Sequence, residues 1–277
     1  MGSYPPPPAP EFLPPDGVVP PPPQPPIRRP RSTWSVAPAT HLLVAVNCLV
    51  FVAMLARHVS FLSPSAEDLL RFGANNAGAV LFYGEWWRIV TAMFVHVGII
   101  HLATNMWCLW NLGLLAEPLL GSGGVVAAYI LTGAAGNLLS TFVSQWRYHP
   151  PPGSEGLFGP VGAGASGAVF GLAGVLIVLL KSPLLPIPRA DLNGLRKSVI
   201  MFAAINLVIG LGTMIPGSVV RIDNMAHLGG FSCGLLFATP LVPRIGAPRR
   251  KFEVRRRIAV AIVVVLLTLF GFYLAQF

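Results

Sequence analysis

Seven long apolar runs, separated by charged and turn-forming residues, constrain this chain more than any other feature of its sequence. They cover residues 41–56, 99–116, 122–144, 166–180, 197–213, 224–242 and 258–276. A helix of about 20 apolar residues crosses the hydrocarbon core of a bilayer, which is about 30 Å thick. Open sheets cannot cross it, because lipid leaves their backbone polar groups unsatisfied. We therefore predict an all-α polytopic membrane protein.

The composition supports this fold class. Of 277 residues, 54% are hydrophobic and only 10% are charged, and the mean hydropathy is +0.67. An average soluble domain is roughly 25% charged. A soluble domain of this length could not bury so much apolar surface. Lipid is therefore expected to be the solvent for most of the chain.

Residues 1–40 differ from the rest, because they contain 15 of the 28 prolines. Proline cannot supply helix hydrogen bonds, so a disordered cytoplasmic tail is predicted there. It lacks the apolar segment of a secretory signal peptide and should stay on the protein. A plain spacer is favoured, and binding to a proline-recognition domain is the alternative. The predicted organisation is a tail (1–40), a six-helix core (41–243), a basic cytoplasmic linker (244–257) and a seventh transmembrane helix (258–277).

Basic residues fix the predicted orientation. With the N-terminus in the cytoplasm and the C-terminus outside, 14 of the 19 Lys and Arg residues fall on the inner side. This matches the positive-inside rule. The cluster PRRKFEVRRR then faces anionic lipid and not nucleic acid, despite the net charge of +9. Sixteen Arg against three Lys are typical of a GC-rich genome, such as a bacterial one, and we predict a location in a bacterial inner membrane.

Cysteines and metal ligands suggest no cofactor. The three cysteines, Cys48, Cys108 and Cys233, lie in apolar runs and are interpreted as small buried hydrophobes. No CxxC or HExxH pattern occurs. A metal site made of His96, His101 and His227 remains an alternative, disfavoured because the sequence shows no side chains placed to orient these imidazoles. We therefore predict no metal and no cofactor.

One serine occupies an unusual position. Ser166 lies in VGAGASGAVFGLAG, in which nine of fourteen residues are Gly or Ala. The apolar run that it begins is only about 22 Å long at ~1.5 Å per residue, so its outer end should lie below the membrane surface. The preceding loop must then be covered by protein or reached by water. A simple small-residue packing site is the alternative.

Three other polar side chains are expected at the same depth. His101 and Asn105 lie four residues apart on one face of the second span, and His227 begins the sixth. A serine becomes nucleophilic when a base takes its proton, and His227 can be that base. The Ser166 amide, His101 and Asn105 can stabilise an oxyanion. Each polar residue could instead be a hydrogen-bonded core residue.

At these residues the chain resembles the rhomboid family of intramembrane serine proteases. The similarity extends over residues 40–242 and comprises a Trp-Arg pair, His-x4-His-x3-Asn, Gly-x-Ser-Gly, and Ala-His followed by Gly-x3-Gly. It implies a rhomboid-like six-helix bundle with one additional C-terminal helix.

The resemblance also implies roles for individual residues. Ser166 would be the nucleophile and His227 the base, with His101, Asn105 and the Ser166 amide forming the oxyanion hole. The supporting residues would be Trp87 and Arg88 of the Trp-Arg pair, Gly164 and Gly167 beside the serine, Glu117 at the end of the second span, and Gly230 and Gly234 at a helix contact.

Phe170 stands where many bacterial members have tyrosine, and is expected to stack on His227. Asp223 is interpreted as the N-cap of the sixth helix, with a catalytic triad as the alternative.

The sequence thus predicts a serine endopeptidase that cleaves transmembrane segments of other membrane proteins, with those proteins and the lipid bilayer as partners. The first alternative is an inactive rhomboid-like adaptor that binds transmembrane helices. The second is a transporter, disfavoured because no second copy of the serine segment is found.

Overall fold

The computed structural model describes residues 37–148, 156–182, 184–185, 188–212, 222–244 and 248–276. Most of the predicted proline-rich tail lies outside these residues. Ten α-helices are described, in the order α1 Pro38–Ala56, α2 Ala66–Arg71, α3 Ala77–Leu81, α4 Arg88–Thr91, α5 Ile99–Leu120, α6 Ser122–Tyr148, α7 Ser166–Leu179, α8 Arg189–Gly212, α9 Asn224–Ala238 and α10 Arg249–Leu274. Short 3-10 helices follow α4 (Ala92–Phe94) and α9 (Thr239–Arg244).

Six of these helices are long and apolar enough to cross a membrane, namely α1, α5, α6, α8, α10, and α9 with its 3-10 extension to Val242. The shorter apolar helix α7 has 14 residues, or about 21 Å. The predicted all-α polytopic fold is confirmed. The protein is a multi-pass integral membrane protein.

Several helices begin before the apolar runs from which they were predicted. Helix α8 begins at Arg189 and not near residue 197, and α10 begins at Arg249 and not at 258. The region predicted as a basic linker is therefore partly helix. Arg, Lys and Glu are good helix formers, so a helix continues beyond the apolar residues that hydropathy detects. Hydropathy detects the apolar part of each helix, and it does not detect the polar turns with which the helix begins.

Glu117 joins the ends of three helices. Its buried carboxylate accepts hydrogen bonds from the backbone N–H groups of Ala39 (2.9 Å) and Thr40 (2.8 Å) at the start of α1. The hydroxyls of Thr40 and Ser122 also donate to it, each at 2.7 Å. The first N–H groups of a helix have no partner within the helix, and a carboxylate there is favourable. These bonds explain why α1 begins at Pro38, and they join the end of α5 to the first residues of α1 and α6.

The short helix α7 lies at the centre of the bundle. Eleven of its fourteen residues are buried. It packs on α9 through glycines, since a Cβ at Gly230 would overlap the Gly167 carbonyl and one at Gly234 would overlap that of Gly171. Small residues allow helix backbones to approach closely in membranes. The predicted contact between the fourth and sixth spans is confirmed.

The connection between α1 and α5 (residues 57–98) is held by hydrogen bonds. The buried Arg88 guanidinium donates to the carbonyls of Leu70 (2.6 Å) and Ala74 (3.0 Å) and pairs with Glu85 at 2.6 Å. It also lies over the Trp87 ring, 4.4 Å from the centroid. Arg88 therefore holds the connection together from a buried position, whereas Trp87 is 49% exposed.

Candidate active site

The loop before Ser166 is fixed by the connection on one side. The backbones of Asn75 and Gly162 exchange two hydrogen bonds of 2.8 Å each, an isolated antiparallel bridge. The Gly164 N–H donates to the Ala92 carbonyl at 2.9 Å. Protein therefore contacts this loop on one side, and residues 161–164 are half-buried. Of the two conditions expected for a loop at this depth, cover by protein or access to water, the first is met in part.

Asn75 was not singled out from the sequence. Its side-chain amide donates to the Asn137 carbonyl (3.3 Å) and to the Thr141 hydroxyl (3.1 Å), both on α6. The Asn137 amide donates in turn to the Ile89 carbonyl at 2.9 Å. The signal in the sequence was a row of polar residues, Asn137 and Thr141 at i and i+4, inside an apolar run. Their partners on the connection could not be read from the sequence.

His96 and His101 adopt defined tautomers beside the loop. The Ala165 N–H donates to His96 Nε2 at 3.4 Å, so the Nδ1 atom carries the proton toward the Phe94 carbonyl at 3.3 Å. The Val97 N–H donates to His101 Nδ1 at 3.4 Å, which leaves the proton on Nε2. A Cβ built on Gly164 would lie 3.0 Å from that Nε2 atom. His101 thus presents an N–H donor next to the backbone that leads into Ser166.

Asn105 follows His101 by one turn on α5. It is buried, and its side-chain amide donates to the His101 carbonyl at 2.8 Å. This bond uses one of the two amide hydrogens and leaves the other available. Its role in an oxyanion hole stays a prediction.

His227 lies near the start of α9, whose cap is formed as predicted. Asp223 accepts a hydrogen bond from the Ala226 N–H at 2.9 Å and another from the Ser140 hydroxyl. Both carboxylate oxygens are thereby engaged, and Asp223 is an N-cap. The cap fixes where the helix that carries His227 begins.

The imidazole of His227 stacks on Phe170. The two ring centroids are 4.2 Å apart and the planes differ by 12°. The predicted stacking is confirmed. Phe170 follows Ser166 by four residues on α7, so the stack places His227 on the side of α7 that also carries the serine. The geometry brings the two predicted catalytic residues to one helix face.

Ser166 is half-buried and is the first residue of α7. Among the described residues, no hydrogen bond joins its hydroxyl to His227, and the buried Nδ1 atom of His227 has no hydrogen-bond partner there. The stack on Phe170 sets the plane of the imidazole, and catalytic hydrogen bonds are often long until the substrate binds. The Ser-His pair therefore stays a prediction supported by proximity.

In the part of the chain that the structure describes, no three His, Cys, Asp or Glu side chains are arranged to hold a metal ion. His96 and His101 lie 5.4 Å apart between ring centroids, and their ring nitrogens accept from backbone N–H groups. The cysteines are free thiols, with Cys233 buried and Cys48 and Cys108 half-buried.

The fold and the site define a class: a multi-pass helical membrane protein in which a serine, two histidines and an asparagine lie at the ends of packed spans. The rhomboid domain model matches residues 83–244, and the chain belongs to the rhomboid family.

Individual relatives carry matching names. Rhomboid protease GluP of Bacillus subtilis is 33% identical over 209 residues, which are 75% of this chain and 36% of that protein. RHOMBOID-like protein 7 of Arabidopsis thaliana is 32% identical over 63% of this chain and 49% of its own length. Rhomboid protease AarA of Providencia stuartii is 29% identical over 72% of this chain and 70% of its own. The chain thus spans about a third to a half of the length of several of its relatives.

Proposed function

We propose that the protein is an intramembrane serine endopeptidase that hydrolyses peptide bonds in or near transmembrane segments of other membrane proteins. The observation that carries the proposal is the Phe170–His227 stack, one turn along α7 from Ser166. The glycine contacts between α7 and α9 hold the two helices together at this point. The relatives named rhomboid proteases support the same activity.

In the proposed reaction, His227 takes the proton of the Ser166 hydroxyl as the oxygen attacks the scissile carbonyl. The oxyanion that forms is stabilised by the Ser166 N–H, the Nε2–H of His101 and the free amide hydrogen of Asn105. The proton on His227 then passes to the leaving amine. Water, activated by His227, hydrolyses the acyl-enzyme and restores the serine.

The substrate class follows from the buried position of the site. A helix hides its carbonyls in backbone hydrogen bonds, so the scissile segment must unwind before attack. Gly, Pro and polar residues near the cleaved bond lower the cost of unwinding. We propose as the location a bacterial inner membrane, with the N-terminus in the cytoplasm and the C-terminus outside.

An inactive adaptor that binds transmembrane helices is the second candidate. The observation in its favour is the unpartnered Nδ1 atom of His227 within the described residues. Such an adaptor would keep the fold and the helix contacts but would not acylate its serine.

The deciding experiment replaces Ser166 by Ala in protein reconstituted with a single-span substrate that carries a Gly-rich segment. The expected result is a loss of cleavage of at least about 10³-fold, because the nucleophile is removed. Ser232→Ala, at an exposed position of α9, is the matched control and should cleave normally. A fluorophosphonate should label the wild type and the control but not Ser166→Ala. Cleavage by Ser166→Ala would refute the nucleophile, and an unlabelled, inactive wild type would favour the adaptor.

A further inference from the structure

Helix α10 begins with an unusual concentration of positive charge. Six of its first nine residues are basic, namely Arg249, Arg250, Lys251, Arg255, Arg256 and Arg257. The apolar part of the helix begins at the next position, Ile258. These cations therefore lie where the helix enters the membrane.

Two of the six bind the helical core. Arg256 donates to the carbonyl of Leu120, the last residue of α5, at 2.7 Å. Arg255 donates to the carbonyl of Pro240, just after α9, at 3.1 Å. The last carbonyls of a helix lack partners within the helix and attract cations. At 100° per residue, Arg256 shares its side of α10 with the buried Ala259 and so faces the core.

The opposite side of α10 carries three more cations. Arg250, Lys251 and Arg257 are exposed, and no ion pair with a carboxylate is found for them within the described residues. Arg249 differs, because it pairs with Glu253 at 2.8 Å. Glu253 attracts Arg257 at longer range, but none of the three cations makes an ion pair with a carboxylate among the described residues.

This side of α10 is the side that faces lipid. Val254 and Ile258, each 51% exposed, lie among the three cations. Exposed apolar residues continue along the same side of the helix at Ile262, Val265, Leu269 and Phe272. Arg250 and Arg257 are about 10.5 Å apart along the axis, a distance that two long side chains can close onto one headgroup. The surface therefore offers cations at headgroup level and apolar contacts directly below.

We propose that Arg250, Lys251 and Arg257, together with Val254 and Ile258, form a binding site for an anionic phospholipid. The three cations would bind the phosphodiester of the headgroup, and Val254 and Ile258 would contact the upper part of an acyl chain. The proposal does not depend on the protease activity. It assigns a second function to α10, besides its attachment to the ends of α5 and α9.

The test uses the full chain, purified and analysed by native mass spectrometry with phosphatidylglycerol or phosphatidylcholine added. The wild type should retain phosphatidylglycerol in preference to phosphatidylcholine. The triple variant Arg250→Gln, Lys251→Gln, Arg257→Gln should lose that retention by about fivefold or more, because the phosphate contacts are removed. Arg250→Lys with Arg257→Lys keeps the charge and should retain the lipid.

The matched control is Lys181→Gln, Arg189→Gln, Lys197→Gln, which changes the net charge equally at exposed positions near the adjoining ends of α7 and α8. It should behave as the wild type. Equal lipid retention by all variants would overturn the proposal. An equal loss of retention in the control would also overturn it, because the net charge of the protein, and not the three cations on α10, would then determine lipid binding. Displacement of the lipid by millimolar inorganic phosphate would also overturn it, because the site would then bind free phosphate and not a lipid.

Discussion

Gly164 is the residue on which the arrangement around Ser166 depends most directly. Its φ of +131° lies in a region that residues with a Cβ rarely adopt. A Cβ there would also lie 2.5 Å from Cε1 of His101. The missing side chain therefore serves two purposes, since it permits the turn before Ser166 and leaves room for the imidazole. No other residue type can do both.

Gly164→Ala is expected to reduce cleavage of a single-span substrate by at least about 10²-fold, because His101 must move from the place in which we propose that it stabilises the oxyanion. Gly84→Ala is the matched control, since Gly84 also has a positive φ (+70°) but no atom within 4 Å of its Cβ position. The control should lose some stability and keep its activity per folded molecule. Equal cleavage per folded molecule in the two variants would contradict the role of His101.

At the scale of elements, the contact between α7 and α9 places His227 against the face of α7 that also carries Ser166. Gly230 and Gly234 of α9 let its backbone touch the carbonyls of Gly167 and Gly171 on α7, and the Phe170–His227 stack lies beside this contact. The repeat of small residues every three or four positions was visible in the sequence. The pairing of particular glycines was not, because it depends on the crossing angle and the relative height of the helices.

Gly230→Ala should destabilise the protein by about 3 kcal/mol, because the new methyl group overlaps the Gly167 carbonyl and the helices must separate. Gly194→Ala lies in the helix α8 with open space around its Cβ position, and should instead stabilise by about 0.5–1 kcal/mol through helix propensity. Thermal unfolding in detergent measures both changes. A Gly230→Ala protein as stable as the wild type would show that the backbones are not in contact at this point.

At the scale of the whole molecule, successive helices of the seven-helix bundle cross the membrane in opposite directions. The ends of α5, α7 and α9 therefore lie on the same side of the membrane as the start of α10. The exposed cations near these ends, including Lys181, Arg189 and Lys197, share that side. The positive-inside rule then predicts that this side is cytoplasmic and that α10 ends outside.

Cysteine labelling in intact bacterial cells tests this orientation. The background is a variant in which Cys48, Cys108 and Cys233 are replaced by Ala. Gln276→Cys, exposed just after α10, should react with a membrane-impermeant maleimide in intact cells. Arg189→Cys should react only after the membrane is permeabilised. The reverse pattern would invert the topology and place the Ser166 end of α7 toward the cytoplasm.

The sequence by itself determined that lipid surrounds most of this protein and that helices span the membrane. It also determined the family motifs and local features such as the Asp223 cap. These depend on composition, periodicity and short spacing, which are properties of neighbouring residues. Only the tertiary structure decided the Asn75–Gly162 bridge, the tautomers of His96 and His101, and the carbonyl contacts of Arg255 and Arg256. Each of these joins groups from separate elements, so it depends on how far apart the helices pack and on which rotamer each side chain adopts. One-dimensional patterns do not contain that information.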